Sequence, residues 1–252
     1  FYQKFVKKNK DKPDENLYPR LKKLAEKIVN DKELSSRSSN IDKESNKILH
    51  EKVRYEILQR FGYFVTESSE HFAEYVPWFI KQNRKDLISE YKIPIEEYID
   101  RCENNVKIWN DLDEDMSPIH NQPLIRSKEY ASYIMDAVAN NNPVEINGNF
   151  INNKYIENLP DNACVEVPCL VNSDGYTPKN IGRLPEHLAA LMRTNINVQI
   201  LTSEAALYKK REHIYHAAML DPLTGANLSI SEIYSMVDEL IEAHRNYLPK
   251  YN

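Results

Sequence analysis

The sequence predicts a helix-rich α/β fold with a small set of strands in the middle of the chain. Three observations predict it. Apolar residues recur at helical spacing through most of the first 140 residues. Alternating apolar and polar residues, bounded by turn formers, replace that pattern between Val144 and Gly175. From Leu184 the chain returns to helical spacing with small residues set close together.

Taken in order, Tyr18 to Val29 puts Leu21, Leu24, Ala25 and Ile28 on one face, and Asn46 to Phe61 does the same with Ile48, Leu49, Val53, Ile57 and Leu58. Glu33 to Ser45, rich in Ser, reads as a long loop. Ser68 or Ser69 can cap a helix running from Glu70 towards Ile80, with Glu70 in the first turn and Pro77 set to kink or end it. Pro94 to Leu112 and Ser127 to Ala139 read as two further helices, joined by a polar stretch with Pro118 and Pro123. Val144–Asn147 alternates and leads into Gly148. Ala163–Val167 alternates and ends at Pro168, and Leu170 and Val171 precede the turn residues Asn172 to Gly175. Ala189, Ala190, Ala205, Ala206, Ala217 and Ala218 permit tight helix packing. Asp221-Pro222 breaks that run, and Ser229-Ile230-Ser231-Glu232 is a capping-box pattern opening a last helix to about His244.

Composition narrows the function classes. The chain has 252 residues, 41% hydrophobic and 28% charged, with 33 basic against 38 acidic side chains and a net charge of −5. That is a globular composition with room for one large core or two joined ones. The basic tract from Lys4 to Lys12 is answered by Asp11, Asp14 and Glu15 and reads as a solvated loop, so no nucleic-acid partner is expected. No apolar run reaches a membrane span, and no membrane partner is expected. Cys102, Cys164 and Cys169 show no Cys-x-x-Cys spacing, which fits free thiols in a reducing cytoplasm. With only 5 glycines, the sequence carries neither a dinucleotide fingerprint nor a phosphate loop. It opens at Phe1 without Met, as a fragment would.

Three polar clusters can carry chemistry. Around Gly62 to Tyr75, polar groups gather at a predicted helix start, where exposed N–H groups can hold an oxyanion or sugar hydroxyls. Glu70, His71, Glu74 and Tyr75 then lie on adjacent faces, and a cap with a salt-bridged helix is the structural alternative. Glu70, His71 and Glu74 could also ligate a metal, a spacing common by chance. Asn147-Gly148-Asn149-Phe150-Ile151-Asn152-Asn153-Lys154 reads as an amide-rich loop between strands. Each amide can donate and accept, as a polyhydroxylated ligand requires, or simply make an Asx turn. The pair His213 and His216, beside Arg211 and Glu212, suits a metal or a packed helix surface.

The block from Gly62 to Tyr75, Gly-Tyr-Phe-Val-Thr-Glu-Ser-Ser-Glu-His-Phe-Ala-Glu-Tyr, resembles a segment of family 4 glycoside hydrolases, closest to their α-galactosidase branch. Asn158–Pro168, Arg193–Gln199, Arg211–Pro222 and Asn16–Leu21 resemble further segments of that family in the same order. The resemblance implies the C-terminal, substrate-binding and oligomerisation domain of a lactate/malate dehydrogenase-like enzyme, spanning residues 1–252, with the NAD-binding Rossmann half outside this sequence. It implies NAD and Mn²⁺ as cofactors, with their main binding residues also outside, and a small sugar as substrate. Hydride withdrawal from the sugar C3 hydroxyl and metal polarisation of the resulting ketone acidify the C2 proton, whose removal allows elimination of the glycosidic bond; water addition and hydride return complete the family's route. Carried onto this sequence, Tyr63 and Glu67 are rival candidates for the base. Glu70, His71, Asn149 and Asn152 become substrate-binding candidates. Lys154 departs from the family's usual Gly. An α-glucuronidase or α-galacturonidase is the nearest rival activity, a non-catalytic binding or oligomerisation domain the alternative class, and a homodimer or tetramer the expected assembly.

Overall fold

The computed structural model describes residues 18–30, 50–95, 97–111 and 129–251. The basic tract at 4–12, the serine-rich stretch at 33–45 and the proline-containing stretch around 118–123 lie outside the described residues. The described chain divides into two compact units, one formed by residues up to Pro94 together with those from Ala190, the other by Ile95–Ala189.

In the first unit, α1 (Tyr18–Asn30) and α2 (Lys52–Phe61) pack through Leu21, Ala25 and Ile28 against Tyr55 and Leu58. Leu21, Ala25, Ile28 and Leu58 are positions that the 3.6-residue period selects. Leu24, expected on the same face, is exposed, Tyr55 was not among the expected positions, and Ile48 and Leu49 lie outside the described residues. The other side of α2 presents Val53 and Ile57 to Phe72, Ala73, Val76, Phe79 and Ile93, a second core centred on α3 (Ser69–Glu74). The α2 helix is therefore buried on two sides and ends at Gly62, whose φ of 80° is the left-handed cap that glycine tolerates and whose N–H donates to the Leu58 carbonyl at 2.9 Å. The helix expected to run towards Ile80 stops at Glu74. Pro77 disfavours helical backbone at Val76, so the chain leaves through Tyr75.

A short helix α4 (Lys85–Tyr91), which apolar spacing did not announce, follows. Its end is tied to α2 by the buried Lys52, whose ammonium lies 3.3 Å from Glu90 Oε1 and over the Tyr91 ring. In the second unit α5 (Glu97–Asp111) falls inside the first of the two predicted helices, and α6 (Ala131–Asn140) runs one residue past the predicted end of the second. Three antiparallel strands follow in the order β1 (Val144–Ile151), β2 (Cys164–Asn172) and β3 (Gly175–Pro178). Ala137 of α6 packs on Cys169 and Val171, on the face that also holds Ile146 and Phe150.

Two strand boundaries differ from expectation. β1 continues through Gly148 and Asn149 to Ile151, so those residues belong to a strand and not to a loop. A side chain at 148 would meet the Phe150 ring, 2.8 Å from an ideal Cβ, and Gly148 provides that space. β2 runs through Pro168. A residue's N and C=O point to the same neighbour in an antiparallel ladder, and the Pro168 carbonyl accepts from Lys179 N–H at 2.8 Å, just past the end of β3. The missing N–H thus faces where no strand continues, and costs the β1 ladder nothing.

The C-terminal helices are α7 (Glu186–Tyr208), α8 (Arg211–Leu220), α9 (Pro222–Asn227) and α10 (Ile230–Ala243). Ala189, Ala205 and Ala217 are buried, as their small size predicts. Asp221 accepts from Thr224 N–H at 2.7 Å and places Pro222 at the start of α9. Ser229 and Glu232 close a reciprocal capping box on α10. No described helix is long and apolar enough to cross a membrane.

Candidate functional site

The first candidate cluster is built where α2 ends and α3 begins. Ser68 is the N-cap of α3: its Oγ accepts from His71 N–H at 3.2 Å. The preceding residue, Glu67, turns its carboxylate to the same helix start. Its Oε1 accepts from Ser68 N–H at 2.8 Å and stands 3.4 Å from His71 Nδ1. Both side chains are 45% accessible, so the pair is open to solvent and to a ligand. Tyr63 lies in the same segment and is exposed. Glu70 is a first-turn acid of α3, half-buried and favourably placed against the helix dipole.

Tyr75, placed in this cluster by its spacing but given no role from sequence, completes it. Burial raises its phenol pKa above the usual value, and the Glu67 and Glu74 carboxylates raise it further. The Tyr75 carbonyl accepts from Asn195 Nδ2 at 3.2 Å. Two of the sequence blocks, Gly62–Tyr75 and Arg193–Gln199, thus meet across 120 residues of chain.

The segment between Gly62 and Ser68 is held from below. Arg54, buried in α2, donates from Nε to the Val65 carbonyl at 2.9 Å, lays its guanidinium 4.4 Å from the Phe64 ring centroid and pairs through a terminal nitrogen with Glu51 at 2.6 Å. Its main-chain N–H donates to Ser69 Oγ at 3.3 Å. Phe64 N–H reaches the Tyr18 hydroxyl at 3.5 Å. Val65 packs into the α3 core and Phe64 into the α1 core, so the segment straddles α2. Sequence spacing alone gave no signal for Arg54, a charged residue beside the core positions Val53 and Ile57.

In the second unit, Asn149 is exposed on the outer face of β1, between Asn147 and Ile151 and opposite Glu166 of β2. An amide and a carboxylate side by side on an open strand face suit hydroxyl groups. Asn152 is a correction. It is fully buried, and its Nδ2 donates to the carbonyls of Ile156, Leu159 and Pro160 at 2.9–3.1 Å while its Oδ1 accepts from Ile156 N–H at 2.8 Å. Its hydrogen-bonding capacity is consumed by its own loop, so it shapes the β1–β2 connection and does not reach a ligand. The next two residues, Asn153 and Lys154, have φ of 39° and 68°, and Tyr155 N–H donates to the Asn152 carbonyl at 2.7 Å. This is a type I′ turn with Lys154 where glycine is preferred.

The third cluster is helix packing. Arg211 of α8 pairs with Asp238 of α10 at 2.9 Å, and Tyr215 stacks on Tyr234 with centroids 4.6 Å apart. His213 buries Nδ1 with Glu204 Oε2 3.2 Å away, outside hydrogen-bond geometry, and its ring is 5.9 Å from that of His216. Among the described residues no three His, Cys, Asp or Glu side chains gather as a metal site, which covers the Glu70–His71–Glu74 alternative as well.

The sequence profile described as "Family 4 glycosyl hydrolase C-terminal domain" matches residues 2–224. An α-galactosidase of Bacillus subtilis is 50% identical over 202 residues, covering 80% of this chain and 47% of that protein. An α-galactosidase of Rhizobium meliloti is 33% identical over 214 residues, covering 80% of this chain and 43% of its own length. The chain thus spans about half the length of these relatives. A crystal structure of a 6-phospho-α-glucosidase from gut microorganisms, in complex with NAD and Mn²⁺, shares the fold with a TM-score of 0.61 at 16% identity, over 94% of this chain and 52% of that one. The chain belongs to the family 4 glycosyl hydrolases, matching the C-terminal domain of that family over nearly its whole length.

Proposed function

We propose that this chain supplies the sugar-binding face and the proton-abstracting group of an NAD- and Mn²⁺-dependent α-galactosidase. The observation that carries the reading is the Glu67–His71 pair, set at the α3 N-terminus inside the motif block and open to solvent. Half-identity with a Bacillus subtilis α-galactosidase supports the choice of galactoside over other sugars.

The described residues gather no metal ligands, and the sequence has no glycine-rich strand–turn–helix for a dinucleotide. In this reading NAD and Mn²⁺ bind the other half of a full-length protein, where they would supply hydride acceptance and Lewis acidity. The residues here hold the sugar and take a proton. Glu67, fixed by Ser68 N–H through Oε1, keeps Oε2 for a proton from carbon, and His71 at 3.4 Å supports the carboxylate. Tyr63 is the rival base on the same segment. Glu70 offers a polar contact to a sugar hydroxyl, and Asn149, on the other compact unit, is a separate substrate-binding candidate. In this reading the enzyme works in the cytoplasm as a homo-oligomer.

The test is hydrolysis of para-nitrophenyl α-galactoside by the full-length protein, with NAD and Mn²⁺ each omitted in turn. Activity lost without either cofactor, and lowered about a hundred-fold or more in Glu67→Gln but not Tyr63→Phe, is the expected result for Glu67 as base. The reverse pattern assigns the base to Tyr63. Activity on the α-uronide alone changes the substrate, and activity on neither defeats the proposal.

A further inference from the structure

We propose that Arg54, which touches no candidate substrate group, is the positioning residue that sets how the Tyr63–Glu67 segment presents its base. The inference rests on the functional reading above. Among the described residues, the main chain of Val65, Thr66 and Glu67 makes no hydrogen bond to other main chain. A segment without a ladder takes its shape from its anchors, and Arg54 supplies three of them from a single residue on a buried helix. The guanidinium Nε grips the Val65 carbonyl, two residues before Glu67. Its plane lies against Phe64, next to Tyr63. Its main-chain N–H holds the hydroxyl of Ser69, two residues after Glu67. Glu67 is thus bracketed on both sides by bonds to Arg54. Glu51 at 2.6 Å neutralises the guanidinium and restrains it, which makes its burial tolerable.

Lysine cannot reproduce this. It keeps the charge beside Glu51 but has no planar fork, so it cannot hold Val65 and cover Phe64 at once. The side-chain anchors would loosen while the main-chain bond to Ser69 and the two cores persist.

The experiment is Arg54→Lys in the full-length protein, measured for α-galactoside hydrolysis and for amide hydrogen exchange. The expected result is a kcat lower by about ten-fold or more with KM within about two-fold, because displacement of a reacting group by about 1 Å is enough for such a loss. Exchange should accelerate at the hydrogen-bonded amides of Phe64 and Ser68 and stay slow across α2. An unchanged kcat in an active protein overturns the proposal while leaving the functional reading intact. Uniformly faster exchange through α1 and α2 with a matching loss of activity also overturns it, since Arg54 would then be only a core support. An inactive wild-type protein defeats the functional reading itself, whatever the variant does.

Discussion

Replacing Asn152 by Ala removes a side chain that organises a whole connection, and the cost can be worked from its partners. The Ile156 N–H loses its acceptor and becomes a buried orphan. Of the three carbonyls served by Nδ2, that of Ile156 still receives Leu159 N–H at 3.3 Å and that of Pro160 still receives Ala163 N–H at 3.1 Å. The Leu159 carbonyl is left without a donor. Two orphaned buried groups at roughly 1–3 kcal/mol each give a loss of about 3 kcal/mol. For a protein of this size that lowers Tm by about 6–12 °C. Asn152→Asp sharpens the test. It keeps the acceptor for Ile156 N–H but aims a second oxygen at three carbonyls 2.9–3.1 Å away. At neutral pH the buried carboxylate should destabilise at least as much as Ala, with partial recovery on acidification, when the protonated acid can donate. Denaturant titration followed by circular dichroism measures both. An Asn152→Ala protein within about 0.5 kcal/mol of wild type would refute the argument and return Asn152 to the list of ligand contacts.

Two further outcomes follow from the backbone and from buried phenols. Lys154→Gly should leave stability unchanged or raise it by up to about 1 kcal/mol, since the left-handed position of the type I′ turn penalises a Cβ; a loss measured by the same titration would contradict the turn assignment. Burial first, then nearby carboxylates, push the Tyr91 phenol up to about 12 and raise that of Tyr55. The unfolded chain ionises near pH 10, the folded one later, so this stabilisation is complete below pH 10 and is lost as pH rises towards about 12. Stability that stays flat through that window, with tyrosinate absorbance rising before unfolding, would show that the two phenols are not held neutral by the fold.

The sequence by itself determined the local elements and the family. Period and capping are local properties, so Leu21, Ala25 and Ile28 could be placed on the buried face of α1, and Ser229-x-x-Glu232 at the start of α10, without any knowledge of what they pack against. The Gly62–Tyr75 block marked the candidate site for the same reason, since a glycine C-cap followed by a serine N-cap is written within seven residues. Other assignments depended on partners that spacing cannot bring together. Asn149 and Asn152 sit in one amide-rich run, yet one faces solvent and the other is consumed by carbonyls four to eight residues on. Pro168 looked like a strand end because its missing N–H is visible in the sequence, whereas the short reach of β3 is not. Arg54 gave no signal because a charge beside core positions declares its meaning only when a carbonyl and an aromatic ring close over it. Tertiary structure decided which polar groups are already satisfied, and only those left open are available for chemistry.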